Sequence, residues 1–169
     1  MNQQEIQNLL YQKFGDSIKK RLHPLEKQNV EDAIKQVIHK YLPEKDLNAF
    51  YLPNEYFELI NFFEESLSQD LSDGTWWNLL YSYESMLADL DYEYKNAAYY
   101  KKELTVLNSP IFIPVGAWSD KHIYFLSCDI NFEFGKVFDC HDDYFWNLPD
   151  RENPVSADIL DLLQSEFNK

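Results

Sequence analysis

The stretch IFIPVGAWSDKHIYFLSCDINFEFGKVFDC, residues 111–140, decides the fold. Ile111–Val115 is a run of β-branched and aromatic residues around a single proline, and it reads as a strand closed by Gly116. His122–Cys128 and Lys136–Cys140 read as two further strands. The segment between them, Asp129-Ile130-Asn131-Phe132-Glu133-Phe134-Gly135, joins them as an antiparallel hairpin.

Helical spacing takes over on both sides of this stretch. Downstream, Asn147–Pro154 reads as loop. Ser156 is then expected to cap a closing helix with Ile159, Leu162, Leu163 and Phe167 inward and Asp158, Asp161 and Glu166 outward, and Val155 to staple against Leu160. Upstream, Thr75–Tyr81 is short and aromatic-rich and reads as a strand. Ser82 caps a helix whose stripe is Tyr83, Met86, Leu87, Leu90 and Tyr94, fading between Lys95 and Glu103. Leu52-Pro53-Asn54-Glu55 looks like a helix start, with Tyr56, Ile60, Phe63 and Leu67 on one face and a break at Ser72-Asp73-Gly74. Two amphipathic helices precede it. One carries Ile6, Leu9, Leu10 and Phe14 and ends near Gly15; the other carries Val30, Ile34, Val37, Ile38 and Tyr41, with Pro43 just beyond. No repeat and no Pro/Gly/Ser-rich linker divides the chain. The expectation is one α+β domain over residues 1–169, a mostly antiparallel sheet with helices packed against it and a C-terminal helix.

Composition narrows the function classes. Of 169 residues, 45% are hydrophobic and 17% aromatic, enough for a sizeable core and too apolar for a disordered chain. Against 29 acidic residues stand 15 basic ones, a net charge of −14. Phosphate backbones and anionic membrane surfaces repel such a chain, so no nucleic-acid or membrane partner is expected. A basic protein partner suits it, because opposite charge speeds encounter. Solubility alone also favours acidic surfaces. Met1 leads straight into Asn2-Gln3-Gln4-Glu5 without a signal-like segment, and the longest apolar runs are far too short to span a bilayer; a cytoplasmic protein is expected. Two cysteines, Cys128 and Cys140, make no disulfide scaffold and read as buried thiols.

The chemically dense segment is Asp139-Cys140-His141-Asp142-Asp143, with His122 and Cys128 on the preceding strand. These are zinc-ligand types, but the paired spacing of a structural site is missing, and consecutive strand residues point alternately to opposite faces. The same alternation separates Cys140 from His141 as nucleophile and base, and nothing favours pairing Cys128 with His141. Carboxylate pairs such as Glu64-Glu65 and Asp142-Asp143 are expected by chance among so many acids. Gly116-Ala117-Trp118-Ser119-Asp120 has too few glycines to cradle a phosphate. No catalytic residue, metal or cofactor is expected. Aromatics remain: Trp76-Trp77, Trp118 and Phe145-Trp146 cannot all point inward from strands, and each is either core or part of a binding patch.

The order of motifs resembles the SUKH superfamily, the Smi/Knr-like proteins, across roughly residues 50–168. Leu52-Pro53-Asn54-Glu55-Tyr56-Phe57 is similar to that family's Leu-Pro-x-x-Tyr helix start, and Leu79–Met86 to its strand followed by a helix. Phe112-Ile113-Pro114-Val115-Gly116 is similar to its Ile-Pro-Ile-Gly strand. Tyr124-Phe125-Leu126 with Asp129, then Gly135-Lys136-Val137-Phe138 with His141-Asp142, follow in order, and Ser156–Phe167 loosely matches its closing helix. Residues 1–48 would be an N-terminal helical addition or variant. The family's Gly-rich loop is replaced by Gly116–Lys121.

What the resemblance implies is a non-enzymatic binder: a cytoplasmic immunity protein that neutralises a polymorphic toxin, often a nuclease, by direct contact. A regulatory scaffold of the same fold is the alternative, and a small hydrolase using His141 with a nearby carboxylate a third. Partner contact is expected at the acidic turn with Asp139, Asp142 and Asp143, together with Trp118, Asp120 and Glu133 on adjoining connections, since loops held by a sheet are usual sites of recognition.

Overall fold

The computed structural model describes residues 2–70, 77–99, 103–119, 122–141 and 143–165. Seven helices and five strands appear among them: α1 (Gln3–Phe14), α2 (Lys27–Tyr41), α3 (Asn54–Ile60), β1 (Leu67–Asp70), β2 (Trp77–Leu80), α4 (Tyr83–Tyr99), α5 (Glu103–Asn108), β3 (Phe112–Trp118), β4 (His122–Ser127), β5 (Val137–His141), α6 (Leu148–Arg151) and α7 (Ile159–Ser165). The fold is α+β. The strands form one antiparallel sheet in the order β1-β2-β3-β4-β5.

The central strand β3 is buried along almost its whole length, so both faces of the sheet are covered at its middle. Helix α4 lies on β3 and α2 packs on α4, while α1 touches β1 and α3, and α3 touches α7. One cluster of buried side chains runs from Ile6 to Leu163. The first two helices therefore belong to the same core as the sheet. Arg21 reinforces this: its guanidinium bonds both Glu84 oxygens at 3.0 and 3.1 Å and the Phe63 carbonyl at 3.2 Å.

Local chemistry accounts for the helix ends. Asn2 and Glu5 form a reciprocal capping box at the start of α1, and Gly15, at φ +60, ends it. Ser82 accepts the Ser85 amide at the start of α4. Lys45 holds the end of α5: its buried ammonium donates to the carbonyls of Val106 and Ser109 at 2.7 Å each and of Leu107 at 3.3 Å. Burial lowers that ammonium to about 8. Charge-assisted bonds of roughly 1.5–3 kcal/mol apiece offset a desolvation cost of several kcal/mol. Lys45 thus fixes where α5 docks more than it adds net stability.

Five sequence expectations need correcting. The third helix stops at Ile60, and Leu67 opens β1 opposite Leu80. Between them the chain bridges Lys20 to Phe63, with Arg21 donating to the Phe62 carbonyl and Glu64 to that of Lys19. Tyr56, Ile60, Phe63 and Leu67 are all buried, so their spacing reported burial and not conformation. Strand β3 does not close at Gly116 but runs on to Trp118. A side chain at 116 would put its Cβ 2.4 Å from the Leu79 carbonyl oxygen, so glycine lets β2 approach. Residues 147–154 are not all loop, since α6 and the preceding turn Phe145–Asn147 bury Phe145, Trp146 and Leu148. The cap of α7 is Asp158, whose Oδ1 accepts the amides of Leu160 and Asp161 at 2.8 Å, while Ser156 pairs with Val137 at the sheet edge. Val155, expected as a staple, is 44% exposed.

Candidate functional site

Sheet register lines up one polar row across all five strands. Gln69 pairs with Asn78, Asn78 with Trp118, Trp118 with His122, and His122 with His141. Three of these rings adjoin along the row, the first pair tilted by 32° and the second stacked. Trp118 and His122 lie 4.0 Å apart between centroids, and His122 and His141 3.9 Å apart with planes 7° from parallel.

Asp139, two residues before His141, ties this stack together. Its carboxylate accepts the Trp118 indole N–H at 3.0 Å and the His122 Nδ1–H at 3.0 and 3.1 Å. A carboxylate only accepts, so the bond sets the His122 proton on Nδ1. Ring-nitrogen lone pairs lie in the ring planes, and two parallel imidazoles therefore cannot aim at one ion without tilting. Among the described residues no group of three or more His, Cys, Asp or Glu could hold a metal ion.

The two thiols are poor nucleophiles for a physical reason. Cys128 is fully buried, and burial pushes its thiol well up. Cys140 is raised to about 12, chiefly by burial and then by Glu93 and Asp143, and its Sγ lies 3.3 Å from the Asp143 carbonyl as a donor. A thiol held protonated neither attacks nor ligates. Glu93 is raised to about 7, by burial first and then by Asp89 one helical turn away on α4. Desolvation and like-charge repulsion explain that value without a substrate.

The residues expected to meet a partner divide between the two ends of the sheet. Trp118 and Asp139 come together at the His122 end. Nearby, Asp143 Oδ1 accepts the Tyr144 amide and the Asn147 side chain, each at 2.7 Å. Asp120 and Asp142 lie outside the described residues. Glu133 sits at the opposite end of β4, in the connection to β5, with φ +43 and an ion pair to Lys136.

That opposite end carries what sequence reading missed. Residues 128–136 are stitched to the chain before α3: the Tyr51 amide donates to the Cys128 carbonyl at 2.9 Å and the Ile130 amide to the Ala49 carbonyl at 3.0 Å. Ser127 Oγ donates to the Phe132 carbonyl at 2.6 Å, and the Gly135 amide to the Ser127 carbonyl at 2.9 Å. On this bonded frame Tyr51, Ile130 and Phe134 stand 44%, 58% and 40% exposed, with the Tyr51 and Phe134 rings 5.8 Å apart. Lys27 Nζ sits 4.0 Å above the Tyr51 ring. The signal was present as Ile130, Phe132 and Phe134 in a connection too short to bury all three. Phe132 takes the core side, against Phe112 and Phe138.

Compared with known proteins, the chain matches no family model, no curated protein and no solved structure. Among the described residues no helix is long and apolar enough to cross a membrane.

Proposed function

We propose that this chain is a non-enzymatic protein-binding module, and specifically an immunity protein that captures a basic toxin domain and blocks it by contact. The observation that carries the reading is the exposed apolar group of Tyr51, Ile130 and Phe134, two rings and one aliphatic side chain, held where the β4–β5 connection is hydrogen-bonded to residues 49–51 in a chain of net charge −14. Rigid aromatic anchors lose little conformational freedom on docking and dominate interface energies, while surplus negative charge speeds capture of a cationic partner. Buried, protonated thiols and an internally bonded His122–Asp139 pair support binding over catalysis.

The resemblance in motif order to the Smi/Knr-like proteins supports the same reading. Trp118 and Asp139 then serve as the clamp that sets the sheet's His122 end, and Glu133 stands on the connection better placed to meet a partner. Co-expression with the C-terminal domain of a secreted protein encoded beside this gene tests the proposal. Restored growth together with an equimolar complex is expected; no complex, or growth restored without one, contradicts it.

A further inference from the structure

A hollow of about 220 Å³ opens beside the exposed aromatic pair. Of the residues that line it, Pro53, Leu126, Phe134 and Ile159 are apolar and Glu55 and Asp158 are acidic. This is an amphipathic shape. A purely apolar side chain would leave two charges facing it, and an anion would be repelled by both. A lysine or arginine fits each part: methylenes along the lining, charge at the carboxylates.

The electrostatics favour a cation despite two nearby helix starts. Glu55 lies in the first turn of α3 and Asp158 caps α7. A helix start carries at most about half a positive charge, and less in helices this short, so each full carboxylate outweighs it. Asp158 uses Oδ1 for its cap, and no hydrogen bond among the described residues occupies Oδ2. Glu55 is exposed and has no hydrogen bond or ion pair among the described residues. Phe134, also a lining residue, brings an aromatic ring of the kind that attracts cations, as the neighbouring Tyr51 ring does with Lys27.

Resting on the binding role proposed above, we infer that this hollow receives one lysine or arginine side chain of the protein partner, with Tyr51 and Phe134 packing around it. The hollow lies among α3, the β4–β5 connection and α7, whose backbones are fixed by the core, so the site is formed before the partner arrives. Occupying it would put a partner cation on the same surface as Glu133.

The test is an amide-resolved NMR titration of the full chain with N-acetyl-arginine methylamide and, separately, with its neutral citrulline counterpart. Saturable shifts centred on Leu126, Gly135 and Ile159 with arginine, absent with citrulline at matched concentration, are expected. Glu55→Gln should weaken the arginine response at least about threefold and Phe134→Ala should abolish it. Both side chains are exposed or lie at the rim, and unchanged amide positions elsewhere verify the fold. Equal responses to both probes, shifts that never saturate, or shifts unaffected by either substitution would overturn the assignment. The captured partner supplies the second arm, with an affinity loss of about tenfold or more expected in Phe134→Ala. An unchanged partner affinity rejects this location and leaves the binding role standing. Arginine binding here with no protein captured rejects the role and leaves only a cation-selective hollow.

Discussion

His122 and His141 face each other across β4 and β5 with imidazole centroids 3.9 Å apart and planes within 7° of parallel. Cross-strand ring pairs of this kind contribute a few tenths to about 1 kcal/mol, too little to hold the geometry alone. The larger contribution comes from Asp139, which accepts from both Trp118 and His122. Asp139→Ala strands two partly buried donors, and should cost roughly 2 kcal/mol in urea unfolding and alter the near-ultraviolet signal of Trp118. Asp139→Asn, keeping one acceptor, should cost less. A loss under about 0.5 kcal/mol for the alanine variant would show that the clamp does not organise this end.

At Gly116 the β2 backbone lies close against β3. With 2.4 Å between a Cβ at 116 and the Leu79 carbonyl oxygen, Gly116→Ala must displace backbone against backbone. The expected cost is about 2–4 kcal/mol, read from the denaturation midpoint, with loss of hydrogen-exchange protection concentrated in β2. Wild-type stability in this variant would mean that the sheet relaxes freely there.

The sequence made the sheet legible where the signals were local. Strands β3, β4 and β5 follow from runs of β-branched and aromatic residues, and Ser82 marks the start of α4 as expected. Strand β1 was hidden because Phe63 and Leu67 extend the helical spacing of Tyr56 and Ile60, whereas in the fold residues 62–64 pair with residues 19–21. Such pairing joins residues over forty positions apart and leaves no trace in a local window. The candidate site was legible in part. Trp118 and Asp139 are expected among the partner-facing residues, and the structure brings the two together through the indole N–H on the Asp139 carboxylate, a bond that no local window shows. Tyr51 and Phe134 were invisible as a pair because they meet only after the β4–β5 connection docks on residues 49–51.

Burial raises the Glu93 carboxyl to about 7, from an ordinary value near 4.5. The folded state thus binds the proton more tightly than the unfolded chain, so Glu93 favours folding most below about pH 4.5. That contribution is lost as pH rises to 7 and changes no further above it. Other carboxylates such as Glu64 and Asp91 shift the opposite way, so the comparison must be between variants. Glu93→Gln should gain on the order of 1–2 kcal/mol over wild type at pH 8 and little at pH 5. An equal difference at both values would contradict the assignment.

The central claim is the proposal that this acidic chain acts by binding a basic protein, and calorimetric titration of the full chain with the C-terminal domain of a secreted protein encoded beside its gene tests that most directly. At about 50 mM salt an equimolar complex is predicted, with its Kd rising about tenfold or more by about 300 mM as opposite charges are screened. Absence of a complex at either salt concentration, or an affinity indifferent to salt, would contradict the account.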